Sequence, residues 1–390
     1  MNQHIYDVIV VGAGPAGSSA AKSSAEKGAK TLLLEEHENA GFPPHCAGLI
    51  TIKGLDETGV RIPKSVVQNK AEKIKLFFNR SSVIFPLDVL IVDRPKLDQY
   101  LANMALNAGA ELWFKSKAVS IYRSGKLWRV VVKKEREVIK IPTKIVIGAD
   151  GFRSMVAKWT GLKHKKELAI CIQYELEAEY EDLKTIECYF VGKIAPGGYA
   201  WVVPFGKNLV RVGLGVRNAK KPAKYYLDKL ISKRFRSPKI NSIMGGCVPI
   251  SGPMRPSYSD GVLIAGDAAG QVNPILGTGI LSSIVCGSMA GKVAAEAIKC
   301  DNTSASKLED YENMWVPFIG ELYTEVLNLR KDLESMTIEE RKRVSEAIKR
   351  LKPGIRKMEL AKAVLKALST KPKLLKYMAK IKLLRRAIYI

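Results

Sequence analysis

The chain has 390 residues, 47% hydrophobic and 26% charged, a globular balance with room for about two to three domains. Its formal net charge is +25, and its six cysteines, at 46, 171, 188, 247, 286 and 300, include no CxxC pair. That spacing argues against a secreted disulfide scaffold and against a zinc site, and the four histidines offer no pair at ligand spacing.

The opening MNQHIYDVIVVGAG runs straight into a strand, with no basic n-region and no cleavage site, which predicts an intracellular protein. Residues 5–36 read as strand, glycine turn, helix, strand. YDVIVV is the first strand, SSAAKSSAEKG a small-residue helix ending at Gly28, and KTLLLEE the second strand. Between them stand Gly12, Gly14 and Gly17. The first permits a tight turn, the second lets a pyrophosphate approach the backbone, and the third lets helix pack on strand. The phosphates then meet free N–H groups at the positive end of the helix dipole. Glu35, at the end of the second strand, is placed to accept from a ribose hydroxyl, a position that favours it over the adjacent Glu36. An acid there suits an unphosphorylated ribose, so FAD or NAD rather than NADP.

Residues 41–50, GFPPHCAGLI, put a cysteine in a tight loop directly after this unit. The segment 73–94 reads as two strands joined by a polar turn, and 93–109 as a helix from Pro95 to Gly109. Residues 110–150 read as a β-meander whose last strand, KIVIGAD, returns to the central sheet. Residues 165–250 read as an antiparallel sheet. There Tyr199 and Trp201 alternate on one strand and so face one side, either as a channel wall or as ordinary core. Residues 261–300 revert to strand, loop and helix. Asp267 at that strand end can hold a ribityl hydroxyl, and the N–H groups near Gly279 and Ile280, at a helix start, can face a flavin's pyrimidine end. From Ala268 to Gly291 no residue is charged, but Gln271, Asn273, Pro274 and five glycines make a poor membrane span and predict a buried segment.

The rest of the chain reads helical, with breaks near Pro353 and Pro372. From Lys349 to Ile390 there are fourteen Lys/Arg against one acid, Glu359. KLLKYMAKIKLLRRAIYI (373–390) interleaves these cations with apolar residues. Three readings fit it: a segment on an anionic membrane, a docked helix with a solvated face, or a nucleic-acid patch, the last disfavoured because no reading motif accompanies the charge. The high Lys/Arg/Glu content also fits a thermophile's surface.

GAGPAG at the N-terminus, GADGFRS (148–154) and GVLIAGDAAG (261–270) together resemble the flavoprotein group typified by p-hydroxybenzoate hydroxylase. Within it, PPHCAG (43–48) and YAWVVPFGKNLVRVG (199–213) are most similar to the geranylgeranyl reductases, in particular the archaeal digeranylgeranylglycerophospholipid reductases. Tyr199, Trp201, Pro204 and Gly213 match that family's aromatic strand, while Val203 replaces its usual phenylalanine. The resemblance implies an α/β fold: a Rossmann-type FAD-binding domain over 1–72, 93–164 and 251–300, interleaved with an antiparallel-sheet substrate domain over 73–92 and 165–250. A helical region over 301–390 completes it. It implies FAD contacts at Ala16, Glu35, Cys46, Ala47, Gly48, Arg94, Ala118, Asp267, Gly279 and Ile280. Arg94, just before a helix start, either meets the FAD or caps that helix at the surface.

The implied activity is reduction of the C=C bonds of geranylgeranyl chains in membrane-lipid precursors. Its partners are an isoprenoid lipid, an anionic membrane surface at the inner face of the cell membrane, and a separate electron donor such as NAD(P)H or ferredoxin. Cys46 then has three readings: filling an apolar gap, pairing with another thiol, or supplying a proton to an alkene carbon. No thiol stands near it in the sequence. Rival functions are an FAD monooxygenase of the same fold and a non-catalytic flavin electron-transfer or membrane-associated binding protein.

Overall fold

The computed structural model describes residues 5–78, 81–162, 164, 167–337, 339, 340, 343, 346, 376, 377 and 380–390. The breaks expected near Pro353 and Pro372 lie outside the described residues.

The chain opens with β1 (Tyr6–Val11), α1 (Pro15–Glu26) and β2 (Thr31–Leu34), followed by β3 (Leu49–Thr51) and α2 (Ile52–Thr58). Next come β4 (Val67–Phe78), β5 (Ser81–Val92) and α3 (Arg94–Asn107). The expected meander over 110–150 is narrower: β6 (Glu111–Trp113) pairs in parallel with β2, and only β7 (Ser116–Ser124), β8 (Leu127–Lys134) and β9 (Glu137–Gly148) form the antiparallel meander, followed by the short α4 (Met155–Trp159). Then follow β10 (Leu168–Glu177), β11 (Thr185–Tyr189), β12 (Tyr199–Gly206), β13 (Leu209–Val216), α5 (Ala223–Arg234) and β14 (Lys239–Pro249). Last are β15 (Tyr258–Ser259), β16 (Val262–Ile264), α6 (Ile280–Lys299), α7 (Ala305–Leu308), α8 (Asp310–Trp315) and α9 (Glu321–Glu334), with a final helical turn at Ile381–Arg386.

Two compact units account for these elements. The first holds the described residues of Met1–Phe42, Arg94–Glu167 and Pro249–Thr324. Its sheet runs β15-β16-β9-β1-β2-β6, with β7 and β8 continuing the meander from β9. The four pairings from β16 to β6 are parallel. Helices cover both faces of such a sheet, so Val8–Val11 of β1 and Leu32–Leu34 of β2 read as apolar runs, and every residue of β2 is buried. Helix α1 packs on α6 at backbone range: a Cβ on Gly287 would lie 2.1 Å from the Ala16 carbonyl oxygen, and one on Gly291 2.0 Å from that of Ala20. The small-residue composition of α1 thus serves a close helix crossing.

The second unit holds the described residues of Pro43–Asp93, Leu168–Val248 and Glu325–Ile390 around a sheet ordered β14-β10-β13-β12-β11-β4-β5-β3. β5 alternates buried and exposed residues along most of its length, as expected when one face of an antiparallel strand meets the core. The sequence grouped residues 43–72 with the nucleotide-binding unit. They belong instead to the second, because β3 pairs antiparallel with β5 and β4 pairs with both β5 and β11. Nor are the described residues of 301–390 one region: those up to Thr324 belong to the first unit and those from Glu325 onward to the second.

Candidate functional site

In the first unit the strand β1 ends at Val11 and α1 starts at Pro15, so the glycine loop spans the turn between them. Gly12 sits at φ +98°, and a Cβ there would lie 2.5 Å from the Ala149 carbonyl oxygen. A Cβ on Gly17 would lie 1.7 Å from the Gly12 carbonyl oxygen. Gly14 differs: a Cβ there would meet nothing within 4 Å, so this side of the loop is open to a ligand. Gly14 caps α1 without a side-chain hydrogen bond, which leaves the first-turn N–H groups for an anion.

Glu35 is buried at the end of β2. Its Oε2 accepts the Ala13 N–H at 2.9 Å, and its Oε1 accepts the His37 N–H at 3.0 Å, with His37 Nδ1 at 2.7 Å. A carboxylate has about four lone-pair sites, so these contacts orient Glu35 and still leave room for a ribose hydroxyl. Glu36, by contrast, is exposed and pairs with Lys117 at 2.7 Å. The Ser116 N–H donates to the Glu35 carbonyl at 2.8 Å, which brings the start of β7, and with it Ala118, to the same end of the sheet.

Asp267 lies in the short 3-10 turn Gly266–Ala269 that follows β16. A Cβ on Gly279 would be 3.4 Å from Asp267 Oδ1, so this carboxylate sits beside the N-terminus of α6. Gly279 caps α6 with no side-chain hydrogen bond, and Ile280 is its first residue. A Cβ on Gly266 would be 2.7 Å from the Ala16 Cβ, which makes this turn a neighbour of the first glycine loop. A glycine turn with open N–H groups, a buried acid at a strand end and a second carboxylate at a helix start fit the donor and acceptor pattern of a dinucleotide such as FAD.

The uncharged stretch satisfies its polar groups internally. Gln271 accepts the Gly266 N–H at 2.8 Å and donates to the Tyr311 hydroxyl at 2.9 Å, while Asn273 Oδ1 accepts the N–H groups of Ile275 and Leu276. α6 is long and apolar enough to cross a membrane, but 72% of its apolar window is buried. Arg94 is buried, not a surface cap, and its Nη2 meets the two oxygens of Asp98, one helical turn on, at 3.2 and 3.1 Å. Asp150 of GADGFRS accepts the Ser154 hydroxyl at 2.7 Å and the Met155 and Val156 N–H groups, so it ties down the start of α4. Burial raises its carboxyl above the ordinary range, against the pull of those bonds.

In the second unit, strand register builds a two-faced sheet. Trp201 and Gln173 both pair with Gly213; Tyr199 and Cys171 both pair with Gly215. The alternate residues Tyr174, Leu176, Ala200, Val202, Val210, Val212 and Leu214 share a core with Leu227 and Leu230 of α5. One face is therefore covered by α5, and the other carries Tyr199, Trp201, Gln173 and Cys171. A Cβ on Gly213 would lie 2.6 Å from the Trp201 indole, so the missing side chain is what gives the ring its place. Tyr199 and Trp201 have ring centroids 5.7 Å apart, and Phe190 stacks on Tyr199 at 5.1 Å. Pro204, expected beside the two aromatics, has the opposite parity: it pairs with Val210 of the α5 core and so lies on the other face, while its carbonyl accepts Asn69 Nδ2–H at 2.9 Å.

Cys46 is half-buried, and its Sγ accepts the Gly48 N–H at 3.4 Å. Gly48 needs its φ of +79°, since a Cβ there would be 2.2 Å from the Val92 carbonyl oxygen. Ala47, next to it, packs against the apolar cluster that contains Val203, Phe205 and Tyr389. His45 is exposed and bonds the Pro43 carbonyl through Nδ1 at 2.8 Å. Burial pushes the Cys171 thiol up to about 12, with Cys247 and Cys46 close enough to add to the shift. Cys46 thus has thiol neighbours that linear spacing hid. Gln173 was also missed. Its oxygen accepts the Trp201 indole N–H at 2.8 Å, and its nitrogen stands 3.5 Å from the Cys46 carbonyl oxygen. Its place in the alternating strand LAICIQYELE, beside a cysteine two residues away, was the available signal. Among the described residues no group of three or more His, Cys, Asp or Glu is placed to hold a metal.

The described end of the basic tail docks on the second unit. Tyr377, Ala387, Tyr389 and Ile390 are buried, and the Thr51 hydroxyl donates to the Tyr389 carbonyl. Lys376, Lys380 and Arg386 pair with Asp332, Glu325 and Glu57 at 3.1, 2.6 and 3.1 Å. Lys382 and Arg385 stay exposed.

Comparison with known proteins fits this geometry. A family model described as an FAD binding domain matches residues 5–322. The digeranylgeranylglycerophospholipid reductase of Methanocaldococcus jannaschii is 39% identical over 387 residues, 96% of this chain and 97% of that protein. The enzyme of the same name from Methanococcus aeolicus is 35% identical over 385 residues, 95% of this chain and 97% of that one. Among solved structures, a geranylgeranyl bacteriochlorophyll reductase-like protein of Thermoplasma acidophilum superposes with a TM-score of 0.86 at 27% identity, covering 97% of this chain and 99% of that one. A flavin-dependent brominase, at TM-score 0.66 and 14% identity over 88% of this chain and 93% of that one, shares the fold alone.

Proposed function

The chain belongs to the digeranylgeranylglycerophospholipid reductase family of FAD-binding proteins, and from that premise we propose how its residues carry out the reduction of geranylgeranyl chains in archaeal membrane-lipid precursors. FAD is its cofactor, held by Gly12, Gly14, Ala16 and Gly17 at the pyrophosphate, Glu35 at the ribose, and Asp267 with the N-terminus of α6 toward the ring end. When reduced, FAD supplies hydride from flavin N5.

An isolated trisubstituted alkene is unpolarised, so its other carbon needs a proton from a positioned weak acid in a dry site. The observation that carries the reading is the face of the second sheet that lies opposite α5. It places the Cys46 loop, Gln173, Trp201 and Tyr199 together, a thiol beside an aromatic wall. Cys46 has a hydrogen to give: its sulfur accepts from Gly48, which orients the thiol while leaving S–H as a donor. Tyr199 and Trp201 present ring faces of a kind that suit a long isoprenoid and exclude water. The hydride and the proton together add two hydrogens per double bond. A separate carrier, NAD(P)H, ferredoxin or another, returns the electrons. The lipid substrate and the tail's surplus of cations support a peripheral position at the inner face of the membrane, with Lys382 and Arg385 among the cations exposed to anionic headgroups.

The test is an anaerobic single turnover. Chemically reduced protein is mixed with a geranylgeranyl ether lipid, flavin reoxidation is followed, and the product is weighed. Reoxidation with a gain of two hydrogens per double bond is expected, and Cys46→Ser should slow it strongly. If the flavin stays reduced until oxygen enters, the reductase reading fails; a product heavier by one oxygen would make the protein a monooxygenase. Sedimentation with anionic but not neutral vesicles, weakened by salt, tests the membrane position.

A further inference from the structure

The sheet face opposite α5 contains a buried polar side chain that the reaction described above leaves unused. Gln173 is 3% exposed and stands on β10, directly across Gly213 from Trp201. Gly213 carries no side chain, so the indole lies over it and the glutamine amide reaches across β13 to meet the ring nitrogen. The 2.8 Å bond from Trp201 Nε1–H fixes which end of the amide is oxygen, because an indole N–H only donates. The amide nitrogen is then turned toward the Cys46 carbonyl oxygen at 3.5 Å and the Met244 sulfur at 3.6 Å. Both are long contacts for a buried donor. A movement of the Cys46 loop toward β10 by a few tenths of an ångström would complete the bond to the carbonyl.

We propose that Gln173 is the positioning residue of this active site, coupling the aromatic wall to the thiol loop through Trp201, its own amide and the Cys46 carbonyl. A chain seated against Trp201 holds the indole, the indole holds the amide, and the amide draws the Cys46 loop to one height over the sheet. The thiol is then set where the proton is needed only when the lipid is in place. The inference rests on the reading that Cys46 serves the alkene, but the coupling itself concerns geometry and has its own readout.

That readout is the alkylation rate of Cys46 by iodoacetamide in the FAD-loaded protein, followed by peptide mass with and without a geranylgeranyl ether lipid. In the wild type the lipid should slow labelling of Cys46. Gln173→Met keeps volume but removes both polar ends. It should raise the lipid-free labelling rate about tenfold and abolish much of the lipid's added protection, while turnover falls more than tenfold at nearly unchanged KM. Gln173→Glu keeps an acceptor for the indole and loses the donor to the carbonyl, so it should free the loop while leaving the indole bonded. Trp201→Phe cuts the same bridge from its other end and should give the same labelling change, which covers the case of a Gln173→Met protein that does not fold. Labelling of Cys46 that is identical in all variants, with or without lipid, would overturn the coupling. Normal turnover in Cys46→Ser would instead sink the proton-donor role and leave the labelling result standing.

Discussion

Gly213→Ala adds one methyl group where the structure has no room for it. The new Cβ would stand 2.6 Å from the Trp201 Cε2 and Cζ2 atoms and 2.7 Å from Nε1, nearly an ångström inside ordinary contact. The ring has little freedom to move, with Tyr199 5.7 Å away on one side and Gln173 bonded to its nitrogen. Overpacking of this kind costs about 1–3 kcal/mol. If the indole shifts, the Trp201–Gln173 bond breaks and leaves buried polar groups unpaired, about 1–3 kcal/mol more. Removing glycine from a strand returns about 0.5–1 kcal/mol of backbone entropy. The net is a loss of roughly 1–5 kcal/mol, a fall in Tm of roughly 2–20 °C at the usual scaling for units of this size. Thermal unfolding followed by indole fluorescence measures the stability, and the anaerobic single turnover measures the consequence for the lipid. Activity should fall more than stability alone explains, since the aromatic wall is displaced even in folded protein. A Gly213→Ala protein with wild-type Tm and turnover would refute the claim that this glycine makes the place for the indole.

Three other substitutions or conditions test separate parts of the structure. Gly17→Ala would put a Cβ 1.7 Å from the Gly12 carbonyl, and the purified protein should emerge with little bound FAD, read from its absorbance ratio at flavin and protein bands. Burial pushes the Cys171 and Cys188 thiols up to about 12, so both should resist iodoacetamide at pH 8.5 until the protein is unfolded. The sign for stability follows. Above pH 9 the unfolded thiols ionise while the folded ones keep their protons, so stability falls as pH rises from about 9 toward 12, and Cys171→Ala should flatten that slope in denaturant titrations. Deleting Ile388 to Ile390 removes Tyr389 from the apolar cluster with Val203 and Phe205, at a cost of about 3–5 kcal/mol if the docked end holds the unit together. An unchanged denaturation midpoint would argue that the tail end is an ornament of the surface.

Much of the nucleotide-binding unit was legible in the sequence because its signals are local. Three glycines at fixed spacing, a strand before them and an acid at the end of the next strand point to a turn and a helix start within thirty residues, and the structure has Gly12 and Gly17 in close backbone approaches and Glu35 bonded to the Ala13 N–H. Strand alternation also put Tyr199 and Trp201 on one face. What the chain order does not contain is which distant segments share that face. Gln173 meets Trp201 only because β10 and β12 both pair with β13, so that two residues 28 apart lie across one glycine. The grouping of residues 43–72 with the second unit was hidden for the same reason, since it depends on β3 and β4 finding β5 and β11 as partners. Local sequence fixes backbone conformation and the direction in which each side chain leaves it. Which thiol, amide and ring then meet is decided by long-range pairing, whose register no short stretch of chain specifies.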